Sequence, residues 1–193
     1  MRALASAVAI AALALAPAAR AADPPPAAFA AFQSLCLSHR GDRDGALKAA
    51  DDAGWMVAPR RMLEGDALLT PQFEGSLRIK STRQAMLLLV VGDMPMAYDS
   101  GRTVNLRVCA LLEQPPDPHL TQGAEAWAAT PPTDARPDGF KVYAFTERGG
   151  AHAPIAGDLA SAPSDGSVSV IIADEELGRI TGVIYGVVLG DEP

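Results

Sequence analysis

The two cysteines are the residues whose chemical role can be predicted most narrowly from this sequence. Cys36 and Cys109 are the only cysteines among 193 residues. Redox-active pairs usually stand close together, as in C-x-x-C, so redox catalysis is disfavoured here, and metal binding is the other alternative. In an oxidising compartment we expect a Cys36–Cys109 disulfide, which closes a loop of about 74 residues and contributes on the order of 4 kcal/mol.

Several acidic residues are candidates for acid–base chemistry. Two carboxylates near one another can act as a general acid and a general base. The candidates, which fall at strand ends or in connections, are Asp93, Asp99, Asp174, Glu175 and Glu176. Their spacing does not show that any two converge, and solvation explains them equally well. A periplasmic hydrolase-type enzyme with loop-borne carboxylates is therefore an alternative function, and no catalytic residue is assigned.

Metal chemistry has little support in the sequence. Met94 and Met96 flank a proline, and thioethers are soft ligands that suit Cu(I). Two methionines lack a third ligand, however, and methionine commonly fills gaps in packing. The three histidines, His39, His119 and His152, have no cysteine or carboxylate at ligand spacing, so we interpret them as solvated loop residues. Copper binding is a remote alternative, and no metal or other cofactor is predicted.

One short motif attracts notice and is set aside. Arg40, Gly41 and Asp42 spell an adhesion tripeptide. Three residues recur by chance, and Asp42 is well placed to cap a helix that follows it. The sequence contains no H-E-x-x-H, no G-x-S-x-G and no glycine-rich phosphate loop.

The N-terminus has the pattern of a secretory signal peptide. Arg2 supplies positive charge, residues 3–16 are a run of small and apolar residues, and residues 19–21 read Ala-Arg-Ala. The run is too short and too weakly apolar to span roughly 30 Å of hydrocarbon. We therefore predict a signal peptide over residues 1–21 and a single α+β domain over residues 22–193. The mature protein is expected to be soluble and periplasmic or secreted.

Composition narrows the classes of partner. The chain has 16 basic and 23 acidic residues and a formal charge of −7, which disfavours nucleic acid as a partner. Apolar residues make up 49% of the sequence, enough for a packed core. The expected partner is an unknown envelope protein or a small ligand, with no membrane insertion after signal cleavage.

The first part of the mature chain is patterned as two helices. Phe29, Phe32 and Leu35 recur at the spacing of one helical face, so a helix is predicted from residue 27. A second helix begins where Asp42 or Asp44 can cap its N-terminus. Together they predict an N-terminal helical hairpin.

The remainder changes to the period of β-strands. Strands are predicted over residues 73–80, 86–91, 103–112, 140–146, 168–173 and 180–189. Residues 120–129 favour a short helix, whereas 115–138 and 149–165 otherwise look like loops. Helices followed by strands predict an α+β fold in which the hairpin packs on a mostly antiparallel sheet of about five or six strands.

The position of Cys109 adds a condition on the sheet. Cys109 lies opposite the face that carries Val104, Leu106 and Val108, yet its predicted partner lies on the apolar face of the first helix. Either both faces of the sheet are covered at this strand or a bulge changes the register. We favour two covered faces.

A resemblance to a protein group accompanies these patterns. Cys36, the Gly41-Asp42 pair, residues 49–51 running to Gly54 and Trp55, and the later Cys109 resemble small exported proteins of Proteobacteria without an assigned activity. The resemblance covers the N-terminal third and implies a helical start and a disulfide. The resulting hypothesis is an exported binding or interaction module of the cell envelope.

Overall fold

The computed structural model describes residues 27–59, 74–97, 103–157, 159, 162–163, 165–177 and 180–189. The predicted signal peptide over residues 1–21 lies outside the described residues, as does Asp99. The side chains of Met96 and Glu176 also lie outside the described part.

Three short helices are present in the described part. Helix α1, Ala27–Phe32, continues as a π-helical segment, Gln33–Leu37. Helix α2 is Arg43–Asp52, and helix α3 is Pro118–Ala128. The side chain of Asp42 accepts a hydrogen bond from the Gly45 backbone N–H at 2.9 Å, which confirms that Asp42 caps α2.

The strands form one antiparallel sheet. Their bounds are β1 Met56–Val57, β2 Glu74–Ser81, β3 Met86–Ala97, β4 Thr103–Gln114, β5 Asp134–Ala135, β6 Lys141–Arg148, β7 Ala151–Pro154, β8 Val168–Leu177 and β9 Ile180–Leu189. The order across the sheet is β1-β2-β3-β4-β9-β8-β6-β5, and β7 also pairs with β6. The neighbouring strands are antiparallel throughout the described part.

The predicted fold class is therefore wrong. In place of a helical hairpin packed on five or six strands, the chain is mainly a nine-stranded antiparallel sheet with three short helices in the described residues. The six longest strands overlap the six predicted ones. The additional strands β1, β5 and β7 span only two to four residues each. So few residues cannot display an alternating pattern, because a period of two needs several repeats.

Both faces of the sheet are buried, as the position of Cys109 led us to expect. On one face, Cys109 and Leu111 of β4 pack with α1, the π-helical segment, α2 and α3; we call this the helix-side core. On the other face, Leu106, Val108 and Ala110 belong to a second buried cluster. The alternation of β4 explains the division, since successive side chains point to opposite faces.

The predicted disulfide is confirmed. Cys36 of the π-helical segment is bonded to Cys109 of β4, and the two Cα atoms are 5.3 Å apart. Both cysteines are fully buried in the helix-side core. Within the described residues, no helix is long and apolar enough to cross a membrane.

Candidate functional site

Polar side chains interrupt the helix-side face of the sheet near one end of its central strands. Ser169 of β8 lies between two fully buried valines in sequence, yet its own side chain faces the opposite way from theirs. Tyr185 of β9 and Glu147 of β6 lie on the same face as Ser169, because each occupies the corresponding position of the pleat. This alternation gathers a hydroxyl, a phenol and a carboxylate at one place on the sheet.

A tight turn after the π-helical segment brings an arginine over these groups. Arg40 and Gly41 both have left-handed backbone conformations, with φ of 51° and 74°. Gly41 donates its backbone N–H to the carbonyl oxygen of Cys36 at 3.4 Å. A Cβ atom at Gly41 would lie 3.5 Å from the Arg107 carbonyl oxygen and 3.8 Å from the Tyr185 ring. The turn therefore lies directly on strands β4 and β9.

The disulfide determines where this turn lies. Cys36 stands about one helical turn before Arg40 in the sequence. Cys109, its partner, is paired in register with Tyr185 on the neighbouring strand. The covalent bond thus ties the segment that carries Arg40 to the part of the sheet that carries Tyr185.

Arg40 forms an ion pair with Glu147. The Arg40 Nη2 atom donates to the Glu147 Oε2 atom across 107 residues of sequence. The hydrogen bond and the charge of Glu147 raise the pKa of Arg40 further above its ordinary value. The pair joins the turn to the end of β6 and closes one side of the polar region.

Tyr185 and Ser169 form a buried hydroxyl pair. The Tyr185 hydroxyl and the Ser169 Oγ atom are 3.0 Å apart, and both residues are buried. Burial raises the pKa of Tyr185, while the Ser169 hydrogen bond and the positive charge of Arg40 act in the opposite direction. The phenol is therefore protonated at neutral pH and is available as a hydrogen-bond donor.

These groups surround an open cleft of about 440 Å³. Its lining is mostly polar and comprises Arg40, Thr146, Glu147, Arg148, Gly166, Ser167, Ser169, Tyr185 and Val187. Because Arg40 pairs with Glu147, those two charges offset each other. The cleft thus presents hydroxyl groups beside an ion pair whose two charges offset each other.

An aromatic cluster lies next to the cleft residues Glu147 and Tyr185. His152 of β7 is paired in register with Glu147, and its ring centroid lies 4.4 Å from that of Trp127 and 4.3 Å from that of Phe145. Its Nδ1 atom donates to the Ala128 carbonyl oxygen at 3.0 Å. The interpretation of His152 as a solvated loop residue is wrong, because the short strand β7 packs its ring against α3.

Among the candidate carboxylates that the structure describes, Asp93, Asp174 and Glu175 are not brought together. Asp93 forms an ion pair with Arg107 at 3.4 Å. Asp93 and Ser169 of β8 belong to the same row of residues paired in register across strands β3, β4, β9 and β8. Asp174 is paired in register with Gly182, farther along the same strand β8. Glu175, on the opposite face from Asp174, lies 3.3 Å from the Thr121 hydroxyl. Asp93 and Asp174 are therefore separated both across the sheet and along it.

The methionine pair falls on strand β3. Met94 is partly buried and packs against the second cluster of the sheet. Within the described part of the chain, no group of three or more His, Cys, Asp or Glu side chains is arranged to hold a metal ion.

Sequence reasoning missed most residues that line the cleft. Arg40 was noted only as part of a tripeptide, and Glu147, Arg148, Ser169 and Tyr185 were not singled out. Ser169 carried a usable pattern, because it is a small polar residue inside an apolar strand. Its pairing with Tyr185 depends on the order of strands β8 and β9, which the strand pattern alone does not specify.

Comparisons with known proteins add no relative. No family model matches the sequence, no curated protein matches it, and no solved structure matches the fold. The resemblance to small exported proteins of Proteobacteria therefore stays a prediction.

Proposed function

We propose that this protein is an exported binding module of the bacterial cell envelope. It holds a small polar ligand in the open cleft that Arg40, Glu147 and Tyr185 line. One observation carries the proposal: the Arg40–Glu147 ion pair and the Ser169–Tyr185 hydroxyl pair line the same cleft of about 440 Å³. Ligand sites are concave and contain a few convergent polar groups, and this volume falls in the usual range for small molecules.

A periplasmic or secreted location accompanies this proposal. The predicted signal peptide over residues 1–21 supports it, and so does the Cys36–Cys109 disulfide. Disulfides persist in oxidising compartments and are rare in the cytosol of mesophiles, where thiols are kept reduced.

The geometry favours holding a ligand over hydrolysing one. Glu147 is the one carboxylate among the lining residues in the described part, and its charge is already paired with Arg40. A mechanism with two carboxylates needs one to donate a proton while the other accepts one. The cleft offers instead a set of fixed donors, which is what orientation of a bound ligand requires.

Equilibrium dialysis tests this proposal. The purified mature protein is dialysed against the small-molecule fraction of a proteobacterial envelope extract, and retained compounds are identified by mass spectrometry. Ser167→Trp fills the cleft from an exposed position, and Gln84→Trp is the matched control in an exposed turn elsewhere. We expect the parent and Gln84→Trp to retain a compound that Ser167→Trp loses. Retention of nothing by the parent, or equal retention by Ser167→Trp, would contradict the proposal.

A further inference from the structure

The side chains that face the cleft carry no net charge among the described residues. Arg40 and Glu147 are paired, so their two charges offset each other. Arg148 follows Glu147 on β6, and successive side chains of a strand point to opposite faces, so its guanidinium is directed to the other face of the sheet. An ionic ligand would therefore leave water without gaining an opposite charge, which is unfavourable. This balance favours a neutral ligand.

The ion pair keeps unused hydrogen-bonding groups although its charges are offset. One Arg40 N–H group donates to the Glu147 Oε2 atom, and a guanidinium has several further N–H donors. The Glu147 carboxylate likewise has a second oxygen and further lone pairs. The Arg40 and Glu147 side chains are 64% and 31% exposed, so a molecule in the cleft can reach both. The pair thus presents a donor and an acceptor side by side.

Two hydroxyl groups on adjacent carbon atoms complement this arrangement. The oxygen of one hydroxyl can accept from the guanidinium, while its neighbour donates to the carboxylate. A trans peptide group does not complement it, because the N–H and C=O of that planar unit point in opposite directions. Hydrogen bonds to the charged groups of Arg40 and Glu147 are also stronger than those between neutral groups. The ion pair therefore favours a vicinal diol.

The hydroxyl pair beside the ion pair extends this preference. Tyr185 and Ser169 have two hydroxyl hydrogens between them, and their mutual hydrogen bond uses one of the two. The remaining hydrogen can be donated to a ligand oxygen, since both residues line the cleft. Ser167 adds another hydroxyl at an exposed position, and Val187 offers apolar surface to the C–H groups of a ligand. A short carbon skeleton with several hydroxyl groups matches this lining.

We propose that the cleft binds a neutral saccharide through a vicinal diol that bridges Arg40 and Glu147, with a further ligand hydroxyl on the Ser169–Tyr185 pair. This inference rests on the proposed function and specifies the chemical class of its ligand.

Titration calorimetry with matched sugars tests the ligand class. The neutral probes are the methyl glycosides of glucose, galactose and mannose. Each is compared with its uronate, in which a carboxylate replaces the hydroxymethyl group, and with its amino sugar, in which an ammonium replaces one hydroxyl group. N-acetylglycine N-methylamide is the neutral probe that lacks hydroxyl groups.

Two variants remove one charge of the ion pair at a time. Glu147→Gln leaves the charge of Arg40 uncompensated, whereas Arg40→Gln leaves that of Glu147 uncompensated. The controls are Asp44→Asn and Arg83→Gln, which make the same changes of net charge at exposed positions outside the cleft lining. Thermal melts verify that all four variants fold. Because the two test variants change the charge in opposite directions, a general loss of packing cannot imitate both results.

We expect at least one neutral glycoside to bind the parent with a Kd of about 1 mM or tighter, and its charged counterparts at least about tenfold more weakly. Each test variant should weaken the neutral sugar about ten- to hundredfold, the range for a hydrogen bond to a charged group. Glu147→Gln should shift the remaining preference towards the uronate, and Arg40→Gln should shift it towards the amino sugar. Both controls should bind like the parent.

Three results would overturn the inference. They are equal or tighter binding of a charged sugar or of N-acetylglycine N-methylamide by the parent, the absence of opposite shifts in Glu147→Gln and Arg40→Gln, and no binding of any neutral glycoside. If dialysis recovers a compound of another class that Ser167→Trp loses, the binding function stands and only the saccharide is wrong.

Discussion

Removal of the disulfide should cost a large fraction of the stability of this domain. Cys36 and Cys109 are separated by 73 residues. A cross-link over that length lowers the chain entropy of the unfolded state, which raises the free energy of that state by about 4 kcal/mol at 25 °C. Both cysteines are fully buried, so replacing them by alanine also leaves unfilled volume. We therefore expect the double variant Cys36→Ala/Cys109→Ala to lose at least about 4 kcal/mol, against a typical total of about 5–15 kcal/mol.

Urea denaturation followed by tryptophan fluorescence measures this loss. Trp55 and Trp127 both contact the helix-side core, so their emission reports on its unfolding. With a slope of about 2 kcal/mol per molar urea, the midpoint should fall by about 2 M. A reducing agent should lower the midpoint of the parent and leave that of the double variant unchanged. A loss below about 1 kcal/mol, or a parent insensitive to reduction, would refute the entropic reasoning.

Three further predictions concern single side chains. Glu113 is buried, its Oε2 atom has no hydrogen-bond partner within the described residues, and burial raises its pKa, with a further contribution from the charge of Asp117. The native state therefore holds this proton more tightly than the unfolded chain, and stability falls as pH rises above the ordinary glutamate pKa. Glu113→Gln should raise the free energy of unfolding by about 1 kcal/mol at about pH 8 and leave it nearly unchanged at about pH 3. In helix α3, a Cβ at Gly123 would lie 2.5 Å from the Phe29 ring, so Gly123→Ala should cost about 1–3 kcal/mol despite the better helix propensity of alanine. In strand β9, a Cβ at Gly186 would meet its nearest atoms at an ordinary 3.7 Å, so Gly186→Ala should gain about 0.5–1 kcal/mol.

Chemical denaturation of each variant beside its parent checks these three values. A pH-independent effect of Glu113→Gln would contradict the assignment of a raised pKa. A stabilised Gly123→Ala would mean that Phe29 moves aside without loss of packing. A destabilised Gly186→Ala would show that the sheet cannot accept a methyl group at that position.

Individual elements were predictable where the local pattern was long enough. The six long strands carry alternating or continuously apolar runs, and strand β9 was predicted with the bounds Ile180–Leu189 that it has in the structure. The cap by Asp42 was predictable because a carboxylate before a helix accepts an N–H within its own turn. The short strands β1, β5 and β7 were not predictable, because each exists only through hydrogen bonds to a neighbouring strand.

The sequence by itself determined the features that depend on neighbouring residues along the chain or on the number of cysteines. It determined the disulfide, since two cysteines allow one pairing, and it indicated two buried faces through the position of Cys109 on β4. Only the tertiary structure decided the cleft. Arg40, Glu147 and Tyr185 lie far apart in sequence and meet because β9 inserts between β4 and β8. Strand order depends on the free energy of the whole sheet, which no local pattern records.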